Sequence, residues 1–100
     1  MTAVRWTPQA LEDLDAIRAY VSRDSVQYAA LLVERLFAAV DRLEVFPESG
    51  RIVPEFQRRD VREIILGSYR IVYRLHADSA VMLTVFHGAR LFPKTVEGAL

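Results

Sequence analysis

The chain has no cysteine, two histidines and a single lysine. The first absence excludes disulfides and thiolate metal centres. Two histidines without a cysteine give no metal-ligand spacing, so no metal or other cofactor is expected. No apolar run approaches the roughly 20 residues a membrane helix needs. The opening "MTAVRWTPQA" lacks the apolar core and small-residue cleavage site of a signal peptide, so the expected address is the cytoplasm. There is no P-loop, no GxGxxG and no GxSxG. Internal repeats and low-complexity segments are also missing.

What remains is an apolar-rich chain of 100 residues, 52% hydrophobic and 26% charged, whose length and composition suit one globular domain over residues 1–100. So high an apolar share in so short a chain points to surface covered by a partner. Net charge is zero but polarised. Residues 1–50 carry five Arg against eight Asp/Glu, and residues 51–100 carry seven Arg and Lys94 against five Asp/Glu. Twelve of the thirteen cations are arginine, the side chain best shaped for planar, bidentate recognition of carboxylate or phosphate.

Ala3–Trp6 reads as an opening strand. Thr7 is a good N-cap and Pro8 suits the first helical position, where its missing N–H is not needed. Leu11, Leu14, Ile17 and Val21 then recur at helical spacing. Glu12, Asp13 and Asp15 read as charge favoured by the helix dipole, not as a catalytic dyad. Asp24 or Ser25 can cap a second helix with a broad apolar stripe that runs to Phe46. The break of about three residues between the helices folds them into an antiparallel hairpin. Pro47–Asp60 is the longest irregular stretch. Strands are expected at Val61–Leu66, Tyr69–His76 and Val81–His87, joined by short turns as an antiparallel meander. The tail from Leu91 either makes one helical turn or lies extended. The expected architecture is a two-layer α+β domain of order β-α-α-β-β-β, with a helical hairpin on a small antiparallel sheet.

Period-two alternation places Tyr69, Ile71, Tyr73 and Leu75 under the helices. Arg70, Val72, Arg74 and His76 then line the other face, left bare or covered by something else, with Arg62 beside them. In the last strand Val81, Leu83, Val85 and His87 alternate with Met82, Thr84 and Phe86. Antiparallel pairing would bring Arg70 toward the end of that strand, where Arg70, His87 and Arg90 could converge. The bland alternative is a solvated strand face.

"PESGRIVPEF", "VREIILGSYRIVYRL" and "VFHGAR", in this element order, resemble the RelE/ParE superfamily of toxins from bacterial type II toxin–antitoxin modules. The resemblance spans nearly the whole chain, and Gly-x-Tyr-Arg-Ile-x-Tyr-Arg is its most specific piece. It implies a cytoplasmic growth inhibitor held in a hetero-oligomer by a cognate antitoxin, whose acidic side chains could pair with Arg62, Arg70, Arg74 or Arg90. One branch of the superfamily cuts mRNA on the ribosome, and the ParE-like branch inhibits DNA gyrase without hydrolytic chemistry of its own. Arg70 matches the arginine after Gly-x-Tyr, and Arg90 matches the arginine after the last strand. The paired lysines of the nuclease branch are missing, with Val61 and Glu63 around that point, and Val96 stands about where a tyrosine is expected. The resemblance therefore favours a gyrase inhibitor. The alternative is an mRNA endonuclease using Arg70, Arg90 and His87. Arg62, Arg70, Arg74, His87 and Arg90 are the candidate residues for binding target or antitoxin.

Overall fold

A computed structural model describes all 100 residues. Strand β1 (Ala3–Trp6) leads into helix α1 (Pro8–Ser22) and then helix α2 (Val26–Asp41), which ends in a 3-10 turn at Arg42–Glu44. Strands β2 (Arg51–Ile52), β3 (Val61–Leu66), β4 (Tyr69–Leu75) and β5 (Ser79–His87) follow, and a short helix α3 (Thr95–Ala99) closes the chain.

Both helix starts are fixed by side-chain caps. The Thr7 hydroxyl accepts from the Ala10 N–H at 3.1 Å and Pro8 opens the helix. Thr7 also donates to the Met82 carbonyl at 2.8 Å, so the same residue ties the helix start to β5. Ser25, not Asp24, caps α2, accepting from Tyr28 N–H at 3.0 Å.

The two-layer α+β architecture is the expected one, with a mixed five-stranded sheet of order β1-β5-β4-β3-β2. β3, β4 and β5 form the antiparallel meander. β1 lies parallel to β5, pairing Ala3 with Ser79 through Trp6 with Met82. The hairpin α1–α2 packs on one sheet face around Leu14, Leu36, Val40, Ile71, Tyr73 and Met82.

The opposite face is not bare. Val61, Val72, Leu83 and Phe86 from the sheet are covered by Val53 and Phe56 of the 53–60 loop and by Phe92, Val96 and Leu100 of the tail. The tail thus does the work of a third, thin layer. A second correction lies in β5. Val72 pairs with Thr84 but Tyr73 pairs with Met82, so Leu83 is an extra residue in a β-bulge. The bulge resets the alternation: Val85 joins Met82 under the helices, and Phe86 joins Leu83 on the far face.

Candidate functional site

The candidate residues fall into three separate settings. Arg70 lies on the far face of the sheet, where alternation places it. Its Nε donates to Glu63 Oε1 at 2.6 Å and one terminal nitrogen donates to Glu63 Oε2 at 3.1 Å. The two terminal nitrogens also grip Glu55 at 2.9 and 2.8 Å, a bidentate fork. Phe86 and Phe92 lie against the guanidinium, 5.2 and 5.1 Å from their ring centroids. The Glu63 side chain is fully buried, and it accepts a third donor from Arg51 Nε at 2.8 Å.

These contacts decide the electrostatics. Hydrogen bonding to Glu55 raises the already high pKa of Arg70. Desolvation works against that rise, and Glu63 adds to it. In return the guanidinium holds the Glu55 carboxyl below its ordinary value. A permanently charged arginine with two carboxylates on it has no edge left free for a phosphate.

Arg62 and Arg74 anchor chain segments. Arg62 is paired directly with Tyr73, so it projects to the helix side and not beside Arg70 as expected. There it donates to the carbonyls of Arg59, Glu48 and Gly50 at 3.0–3.1 Å. Glu63, a charged residue, is the one that points into the far-face core, which puts Arg62 on the helix side. Arg74 does lie on the far face, donating to Asp60 at 3.2 Å and to the Leu100 carbonyl at 3.4 Å.

His87 and Arg90 form the third setting, on the helix side. Arg70 pairs with Phe86 and Tyr69 pairs with His87, so Arg70 and His87 point to opposite faces. The expected convergence of Arg70, His87 and Arg90 does not occur. His87 packs edge-on against Tyr69 at 5.4 Å, and its Nδ1 accepts from the Ala89 N–H at 3.1 Å. His87 and Arg90 instead share a groove of about 750 Å³ with Ile17, Tyr20, Tyr69 and Val85. Burial raises the Tyr69 phenol, with the Tyr28 and Tyr20 hydroxyls adding to the effect.

Asp13 also lines this groove, and sequence reasoning missed its part. One of its oxygens accepts from the Thr84 hydroxyl and from the Val85 N–H, the latter at 3.2 Å. The other accepts from Gln9 at 2.9 Å. It is a clamp from α1 onto the bulge of β5, not a charge placed for the helix dipole. A second missed feature is the Tyr73 hydroxyl. It donates to the Pro47 carbonyl at 2.8 Å and accepts from the Gly50 N–H at 3.0 Å, pinning the turn before β2.

The sequence and the fold match known proteins. Residues 4–92 match the family described as the ParE toxin of the type II toxin-antitoxin system parDE. The chain belongs to this family, within the RelE/ParE superfamily of type II toxins. It is 38% identical over 95 residues to a relative named toxin Y4kP from Sinorhizobium fredii, covering 93% of this chain and 95% of that one. It is 35% identical over 92 residues to toxin RelE2 of Caulobacter vibrioides, covering 91% of this chain and all of that one. Among solved structures, a chain of the chromosomal ParDE system of P. aeruginosa superposes with a TM-score of 0.72 at 24% identity, over 87% of this chain and 96% of that one. A chain of the RelBE2 toxin-antitoxin complex of Mycobacterium tuberculosis gives a TM-score of 0.54, also at 24% identity, over 86% and 96% of the two chains. No helix of the chain is long and apolar enough to cross a membrane.

Proposed function

We propose that this type II toxin arrests growth by binding DNA gyrase and does not cut RNA, and that a cognate antitoxin neutralises it. The observation that carries the reading is the state of Arg70. A nuclease of this fold needs free cations aimed at one developing phosphorane. Here Arg70 is saturated by Glu63 and Glu55, while Arg90 and His87 stand on the other side of the sheet. Glu63, near the place where the nuclease branch carries lysine, is the group that occupies the arginine. An acid in place of a base turns a phosphate clamp into an internal ion pair.

Two solved neighbours of this fold come from toxin–antitoxin systems, which supports an antitoxin partner here. The open edge of β3 suits that role. β2 pairs only with Arg62 and Glu63, so Ile64, Ile65 and Leu66 have no strand on that side. A groove beside the edge is lined by Phe46, Ile64 and Ile65 with Arg42 and Arg51 at its rim. An extended antitoxin segment with apolar and acidic side chains would add a strand there.

The test is a gyrase supercoiling assay with antitoxin-free protein, run beside a cell-free translation reaction. Blocked supercoiling with intact translation supports the reading. Active gyrase with cleaved message overturns it in favour of the endonuclease.

A further inference from the structure

The groove between α1, the end of β5 and the 89–95 segment is distinct from the Arg70 cage and from the β3 edge. We infer that it docks a peptide segment of a protein partner, one that sets an Asp or Glu carboxylate beside a bulky apolar side chain.

Arg90, the His87 ring and the Tyr69 hydroxyl give the groove three side chains able to donate to a ligand. Arg90 takes part in none of the ion pairs, which engage Arg51, Arg58, Arg70 and Arg74. Because His87 Nδ1 accepts from Ala89, the ring proton of the neutral imidazole sits on Nε2, free to donate. The Tyr69 phenol, raised by burial, stays protonated and can donate as well. The one acid in the groove, Asp13, keeps its negative charge, but its oxygens already accept from Gln9, Thr84 and Val85, so the hydrogen-bonding capacity left open is that of donors. Such a site is complementary to an anion.

The rest of the lining is apolar. Ile17, Val85 and Pro93 form the walls, and Leu91 stands at the rim 93% exposed. Tyr20, 67% exposed, flanks the same opening from α1. An exposed leucine and an exposed tyrosine lining one concave surface are what a docking segment covers, with the tyrosine supplying apolar area and a hydroxyl together. A nucleic-acid strand is the poorer fit. It needs a track of several cations along its backbone, and the groove holds the single guanidinium of Arg90. One charge matches one carboxylate. This site does not depend on whether gyrase is the target.

The test selects a random dodecapeptide library, displayed on phage, against full-length antitoxin-free protein. The same selection is run on Arg90→Gln and, because Leu91 is solvent-exposed, on Leu91→Ser, each first shown to melt like the parent. Enriched peptides should pair Asp or Glu with Leu, Ile, Phe or Trp. Their synthetic forms should bind either variant roughly tenfold more weakly, and so should a peptide with its acid changed to the amide, as expected for a charge-assisted contact. Peptides that bind Arg90→Gln as tightly as the parent overturn the proposal, as does the absence of an acidic consensus. So does a fluorescent single-stranded oligonucleotide whose binding is lost in Arg90→Gln, which would make the groove a nucleic-acid platform.

Discussion

Glu63 meets the Nε of Arg70 at 2.6 Å with its own side chain wholly out of solvent. The pair spans neighbouring strands on the far face of the sheet, since Glu63 faces Val72, the second residue after Arg70. Arg51 completes a chain of alternating charge, and no buried polar side-chain atom is left without a partner. Removing one member of a buried pair leaves the other uncompensated, at about 3–5 kcal/mol. Glu63→Ala leaves Arg70 on Glu55 and Arg51 in solvent, so the expected loss lies below that range, about 1–3 kcal/mol in urea unfolding. Glu63→Gln, which keeps the shape and one acceptor, should cost less.

The turn at residues 47–50 depends on one phenol. Tyr73 is fully buried and its hydroxyl serves Pro47 and Gly50 at once. Tyr73→Phe leaves a buried acceptor and donor unmatched, with an expected loss of about 1–3 kcal/mol. A Cβ on Gly50 would fall 2.5 Å from the same hydroxyl and 2.8 Å from the Glu63 carbonyl. Gly50→Ala should thus destabilise by a similar amount, roughly 1–3 kcal/mol, through overpacking. Thermal melts of the two variants and their double mutant should show non-additivity, because both changes act on one contact.

Acid should loosen the far face. Hydrogen bonding to Arg70 holds Glu55 below its ordinary value, and hydrogen bonding to Arg58 does the same for Asp60, with Arg74 contributing. Carboxyls depressed in the folded state bind fewer protons there than in the unfolded chain. Their stabilisation is complete above the unfolded carboxylate range and is lost as pH falls through the folded values. Denaturation midpoints should be flat near neutrality and fall below about pH 4.5. The slope should be shallower in Glu55→Gln. Equal slopes in parent and variant would remove Glu55 from the account.

Burial raises Tyr73 in the opposite sense. A phenol whose folded pKa lies above its unfolded value contributes fully below about pH 10 and less as pH climbs past it. Alkaline unfolding should accordingly shift in Tyr73→Phe, which cannot titrate.

The β3 edge gives a binding prediction. Ile65 is 48% exposed beside the groove that Arg42 and Arg51 rim. Ile65→Lys should leave the melting temperature nearly unchanged while weakening antitoxin binding by roughly tenfold or more, read by calorimetry, since charge on an edge strand opposes strand addition. Unaltered affinity would move the antitoxin elsewhere.

Much of this architecture was legible in the residues. The cap at Thr7, the proline after it and the helical spacing of Leu14 and Ile17 specify α1 locally. β3 keeps the bounds its flanking turn residues set. What stayed hidden is non-local. β1 finds a parallel partner in β5, more than seventy residues away, and no local pattern encodes that choice. The bulge at Leu83 flips Val85 and Phe86 because strict alternation assumes a perfect ladder. Glu63 owes its buried place to Arg70 and Arg51 around it, so nothing local in β3 tells that Glu63, and not Arg62, shares the far face with Arg70. Asp13 lies at a helical position that looks purely electrostatic, and its bond to Thr84 depends on how α1 sits over β5.

The most direct measurement is supercoiling by purified DNA gyrase titrated with antitoxin-free protein, with message integrity followed in a parallel translation reaction. The expected result is loss of supercoiling at stoichiometric protein while the message stays whole. Untouched supercoiling together with cut message would contradict the account, and would mean that Arg70 leaves its carboxylates to meet RNA.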